Sequence, residues 1–259
     1  MRRAPLVLTL LMGTTLLAAG ASLASCGKSE PASSVGGATT APQHGSTGRG
    51  EAAARAQRRQ ALAFARAVNL TAADIPGFAQ SDRHESSSPS EKRLERQMLR
   101  CAGLAGSVKA LVEQSSKEFR LKHGIIDFSV SSEVAVDRTA AQAAGGLTAV
   151  HSSRVRGCFT RYLNRIFKEE HVHGATPGRV TIESGTPPAA GTSGGFGWRV
   201  TARFEVHGIE IPIYLDFLGF VYGPSEVTLL SSGLLSPFPA SVQQHLFALL
   251  LTRAKEHTP

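Results

Sequence analysis

From Ile126 the chain alternates with a period of two, setting Ile126, Phe128, Val130, Ser132, Val134 and Val136 against Asp127, Ser129, Ser131, Glu133 and Ala135. This pattern predicts a half-buried strand. A later stretch allows a test of register. If His207-Gly208 is a two-residue turn, Val206 pairs with Ile209, Phe204 with Ile211, Ala202 with Ile213, Val200 with Leu215 and Trp198 with Phe217. Every partner is apolar and on one face. The other face pairs Glu205 with Glu210, Arg203 with Pro212, Thr201 with Tyr214 and Arg199 with Asp216, which predicts a mixed, half-solvated surface. Arg203 is placed to relieve the like-charged pair diagonally. A slip of one residue would turn both apolar sets outward, so the pattern specifies this hairpin strongly. Gly223-Pro224 turns the chain into a further strand over residues 226–230, and residues 179–183 supply another.

Elsewhere the period is helical. Residues 51–69 are rich in Ala and Arg and end in the turn around Ile75-Pro76-Gly77. Residues 90–104 place Leu94, Met98 and Cys101 on one face. Helices are also predicted over 138–152 and 154–170, the latter with Cys158, Tyr162 and Ile166 on a stripe beside Phe159 and Leu163. After Ser236-Pro237-Phe238-Pro239, a last helix over 240–256 carries Val242, Leu246, Leu249, Leu250 and Arg253 and should pack on the sheet. The order is helices, a strand, two helices, about four meandering strands and a helix. Strands grouped apart from helices and joined by hairpins predict an α+β fold, an antiparallel sheet flanked by helices in a single domain.

The beginning of the chain is different in kind. Arg2-Arg3 precede an apolar run from Ala4 to Ala19, then Leu23-Ala24-Ser25-Cys26. The run is shorter than the roughly 20 residues of a spanning helix, and small residues before a cut site mark an export signal over 1–25. Leu-Ala-Ser-Cys at this distance resembles the bacterial lipobox, in which Cys26 is acylated and becomes the first mature residue. An ordinary cleaved signal with an incidental Cys is the plainer reading. Cleavage removes Arg2 and Arg3, taking the formal charge from +8 to +6. Residues 27–50 are mostly Gly, Ser, Thr, Ala and Pro, too poor in apolar side chains to offset chain entropy. With Cys26 this segment forms a tether of roughly 25 to 30 Å ahead of a domain over 51–259.

Once Cys26 is committed to lipid, Cys101 and Cys158 are the remaining thiols of an exported chain, both on predicted apolar helix faces. A disulfide between them fits the compartment. Glu169-Glu170-His171-Val172-His173 places two imidazoles on one side of an extended chain, but no spacing fixes a third metal ligand. Ser116 lacks the Ser-x-x-Lys spacing. The loop over 184–195 contains Gly191-Thr192-Ser193-Gly194-Gly195, but a strand follows it rather than a helix, so it reads as a hairpin connection. Asp127 and Asp216, within or beside strands, could project to one surface; solvated strand faces with salt links are the plainer account.

Basic residues gather at Arg55, Arg58, Arg59 and Arg66, and at Lys92, Arg93, Arg96 and Arg100. The interleaved aromatics that single-stranded nucleic-acid binders stack on are missing, and the export signal argues against nucleic acid. Anionic lipid or a cell-wall polymer suits such charge better, and a merely solvated basic face is the simpler reading.

Val68-Asn69-Leu70 with Asp74-Ile75-Pro76-Gly77-Phe78, then Arg100-Cys101-Ala102-Gly103, then Cys158-Phe159 leading into a long helix, resemble small actinobacterial lipoproteins of the LpqN type. Their domain is similar to the PsbP and Mog1 proteins, an antiparallel sheet flanked by helices. The resemblance spans about Ala65 to Glu256. It implies a non-enzymatic envelope protein without a cofactor, lipid-anchored outside the cytoplasmic membrane, that binds a ligand or an envelope protein partner through its sheet or loops. The rival is a cell-envelope hydrolase or transferase, whose mark would be a pocket where His or carboxylate groups converge. Replacing the acylated residue tests the anchor: Cys26→Ala should move the protein out of the membrane fraction, and a variant still wholly membrane-bound would contradict it.

Overall fold

A computed structural model describes residues 46–81, 89–104, 110–169 and 175–259. The signal, Cys26, the tether up to residue 45 and the His171/His173 pair lie outside the described residues. The elements run α1 (Ser46–Val68), β1 (Ala79–Ser81), α2 (Pro89–Ala102), β2 (Val112–Ser115), β3 (Glu118–His123), β4 (Ile126–Val136), α3 (Ala140–Val150), α4 (Ser153–Glu169), β5 (Ala175–Gly185), β6 (Gly194–Val206), β7 (Ile209–Tyr222), β8 (Ser225–Leu234) and α5 (Ala240–Glu256). The fold is α+β. Helix α1 starts at Ser46, ahead of the boundary that composition suggests.

The hairpin has the predicted register at every position, from Val206 opposite Ile209 to Trp198 opposite Phe217. His207 and Gly208 both take positive φ, 52° and 78°, as a two-residue turn of this hand requires. Arg203 reaches Glu210 at 2.5 Å, the diagonal relief expected beside Glu205. All strand pairs are antiparallel, in the order β1-β3-β4-β8-β7-β6-β5, and β2 also pairs with β4.

Among the described residues the sheet has eight strands rather than the five predicted, because β1, β2 and β3 lie where the pattern signals none. Strands β2 and β3 are two short pieces that pair in turn with the two ends of β4. At their junction Ser116 exchanges bonds with Ser132: Ser116 N–H donates to Ser132 O at 2.8 Å, and Ser132 N–H donates to Ser116 Oγ at 2.9 Å.

Helices cover both faces. On one, α2 and α4 pack over Val180, Trp198, Val200, Ala202, Phe204, Ile213, Leu215 and Phe217. On the other, α1 and α5 pack over Phe119, Val130, Val134, Phe220, Val227 and Leu229. Polar pairs fix the second layer: Ser132 Oγ donates to Asn69 Oδ1 at 2.7 Å, and Arg253 of α5 holds Asp74 with both guanidinium nitrogens, at 2.6 and 2.9 Å. Burial opposes ionisation of Asp74, but Arg253 and Thr71 outweigh it and keep its pKa below the usual range.

Cys101 and Cys158 form a disulfide that ties α2 to α4, with Cα atoms 5.8 Å apart and a sequence separation of 57. Closing a loop of that length should stabilise the fold by about 4 kcal/mol if unfolded-chain entropy dominates. The double variant Cys101→Ser/Cys158→Ser should therefore unfold at clearly lower urea concentration than the oxidised protein. An unchanged midpoint would show that the bridge adds no stability.

Candidate functional site: an apolar cavity edged by half-buried carboxylates

The layer over the first face leaves a space where α3 meets α4. Thr139 caps α3 by accepting from Gln142 N–H at 3.2 Å, and Ser152 does the same for α4 through Val155 N–H, also at 3.2 Å. Between these two caps, α3 lies across β6, β7 and β8. Its residues are mostly small, so the helix lies close to the sheet but cannot fill the room above it. A cavity of about 90 Å³ remains. Its walls are Gly146, Ala149 and Val150 of α3, Val155 and Phe159 of α4, Phe196 and Trp198 of β6, Phe217 of β7, Leu230 of β8 and Leu104 after α2.

Polar character comes from Glu133 of β4 with Glu226 and Thr228 of β8. Register puts them together: Glu133 pairs with Thr228, Ala135 with Glu226, and Glu113 of β2 with Ala135. All of these positions point to the same face. The Glu226 carboxylate lies under α3, its Oε2 3.4 Å from where a Cβ on Gly146 would stand. Among the described residues it makes no hydrogen bond or ion pair, and no Lys, Arg or His lines the cavity. His151, at the end of α3, instead faces the Gly195 carbonyl at 3.2 Å.

These surroundings disfavour negative charge. Burial, then the nearby carboxylates of Asp137 and Glu113, push the Glu226 pKa up to about 7. Burial also drives Glu133 well above the usual carboxylate range, followed by the charge of Glu113 and a hydrogen bond to it. Two carboxyl groups can share a hydrogen bond only if one is protonated. The cavity is therefore apolar with acids held close to neutrality.

The residues singled out from the sequence lie elsewhere. Asp127 and Asp216 do not share a surface: Asp127 projects to the α2/α4 side of the sheet and Asp216 to the α5 side, by strand parity. Asp127 is salt-linked to Arg120 at 3.3 Å and Lys122 at 3.6 Å. Asp216 is 3% exposed rather than half-solvated. It accepts from Arg199 Nε at 2.7 Å and Nη2 at 3.0 Å, and from Gln243 Nε2 of α5 at 3.0 Å. Helix α5 covers that end of the strand face and removes the water assumed there.

The loop after β5 is the hairpin connection expected, with Thr192 Oγ1 bonded to Ala189 O at 2.7 Å. The named basic residues of α1 and α2 are exposed but on opposite sides of the sheet, so they do not merge into one patch. No helix among the described residues is long and apolar enough to cross a membrane, and no cluster of three or more of their His, Cys, Asp and Glu groups is arranged to hold a metal ion.

No family model and no curated protein matches the chain. Among solved structures, the extracellular domain of PknH from Mycobacterium tuberculosis is similar over 75% of this chain and 96% of its own, at 9% identity and a TM-score of 0.39. A protein of unknown function from Pseudomonas aeruginosa, PA94, a putative regulator, is similar over 70% of this chain and 96% of its own, at 12% identity and a TM-score of 0.22. Neither likeness is close enough to bear on what this chain does.

The raised Glu226 pKa makes stability depend on pH. Between the ordinary value of 4.5 and about 7 the folded state holds a proton that the unfolded chain has lost, so stability falls as pH rises through that window. Glu226→Gln should remove this loss. Urea titrations at pH 5 and pH 8 should show the variant gaining up to roughly 3 kcal/mol on the wild type at the higher pH. Equal stabilities at pH 8 would contradict the buried-acid account.

Proposed function

We propose that this protein is a non-enzymatic, lipid-anchored envelope lipoprotein that binds a small ligand at the outer face of the cytoplasmic membrane. The observation that carries the binding role is the cavity itself: aromatic and aliphatic walls, a few polar groups at one side, and supporting elements on a rigid sheet. The anchor rests on Arg2-Arg3, the apolar run and Leu23 to Cys26. A disulfide between the two other cysteines suits an oxidising compartment, which supports an address outside the cytoplasm. Two acyl chains on Cys26 would hold the protein on a bilayer, and the exposed basic residues of α1 and α2 suit an anionic lipid or polymer nearby. The LpqN-type resemblance points the same way.

One observation favours the rival reading of an envelope hydrolase or transferase. Glu133 and Glu226 converge in a cavity, and an acid with a pKa near 7 is suited to general acid–base work. Against it, the opposing walls are hydrophobic and offer few groups to orient a polar substrate.

The chain's one tryptophan, Trp198, lines the cavity and reports on its occupancy. Titrating the detergent-solubilised protein with toluene should change Trp198 emission to saturation. Ala149→Phe, which fills the space from α3, should abolish the change while circular dichroism stays the same. No change in the wild type would contradict a binding role, and recovery of chemically altered ligand from other cavity occupants would favour the enzyme.

A further inference from the structure

From the cavity described above we infer that its ligand is a small apolar molecule carrying a single protonated amine, its ammonium group seated on Glu226 and its body against Trp198 and Phe217. This rests on the binding role just proposed and adds the ligand's chemistry.

Size sets the first limit. A water needs about 10 to 15 Å³ of such space, so 90 Å³ holds roughly six to nine non-hydrogen atoms. That is a ring or short branched chain with one head group, too little for a lipid tail or a sugar. The walls set the second limit, because a body of that size exchanges water only for carbon along most of its surface.

Charge sets the third. The groups facing Glu226 are Glu133 and Glu113 from neighbouring strands and Asp137 beyond β4; α3 and α4 contribute Gly146, Ala149, Val150, Val155 and Phe159 to the lining, none of them charged. Among the described residues, every titratable group there is acidic. An anionic ligand would meet only like charges, despite the chain's basic surplus. A neutral ligand would leave the Glu226 carboxylate without a charged partner whenever it is ionised. A monocation meets a carboxylate without a competing partner, in surroundings where a charge-assisted bond is strong and aromatic faces add cation–π attraction.

Occupancy should therefore return Glu226 to its ionised form, releasing a proton where the empty site holds one. Affinity for the amine should fall as pH drops below about 7, while affinity for a neutral analogue stays flat.

Trp198 emission of the detergent-solubilised full chain at pH 8 tests this with benzylamine, benzyl alcohol and benzoate. Benzylamine should bind at least tenfold more tightly than benzyl alcohol, and benzoate should not bind. Glu226→Gln should lose at least tenfold for benzylamine and leave benzyl alcohol unchanged. Equal affinity for amine and alcohol, an unaffected Glu226→Gln variant, or preference for benzoate would each overturn the assignment. If toluene binds and the amine shows no preference, the ligand class falls while the binding role stands; if toluene also fails, both fall.

Discussion

The register of the β6/β7 hairpin is the constraint on which the other features depend. A turn of two residues with positive φ leaves no slack, so each side chain from Trp198 to Phe217 is committed to one face. Shifting the pairing by one residue would put Asp216 into the apolar layer under α4 and turn Trp198 toward α5. The same register carries into β8 and β4 through continuous antiparallel pairing. It thereby decides that Glu226 and Glu133 face the cavity, while Asp216 meets Arg199 and Gln243 on the other side.

A sheet apolar on both faces must be covered on both faces, and the two covers are built differently. On the α1/α5 side, side-chain bonds and the Arg253–Asp74 ion pair join helices to loops and strands around a dense core. On the α2/α4 side, a covalent bridge joins two amphipathic helices, while α3, made of small residues, closes the remainder. A helix without large side chains can lie close to strands without filling the space between. The cavity follows from that mismatch, and the same helix leaves the carboxylates beside it half-buried.

Much of this was legible in the amino-acid pattern and some was not. Alternation from Ile126 and around His207-Gly208 specified two long strands and the pairing of β6 with β7, because a half-buried strand must repeat every second residue. Helical stripes placed Cys101 and Cys158 on inward faces, and an oxidising compartment argued for the bridge that the structure contains. Strands β2 and β3 were not legible: Val112–Ser115 and Glu118–His123 are short, rich in charge, and held by β4 rather than by their own propensity. Asp216 was misjudged for a related reason, since its burial depends on α5, far along the chain. The cavity carboxylates were hidden because Glu133 and Glu226 come from strands that meet only in the folded sheet. A glutamate in an alternating strand looks solvated until the covering helix is known. The Ala- and Gly-rich stretch that became α3 was the one available signal.

The central claim is that Glu226 is a half-buried acid beside an apolar space, with its pKa raised toward neutral pH. Carbon-13 carboxyl resonances followed through a pH titration of the full chain, assigned by comparison with Glu226→Gln, measure it directly. A midpoint near 7 for Glu226 is the predicted result. A midpoint near the ordinary glutamate value of 4.5 would mean that water or a cation already compensates the group, and would contradict the account of the cavity.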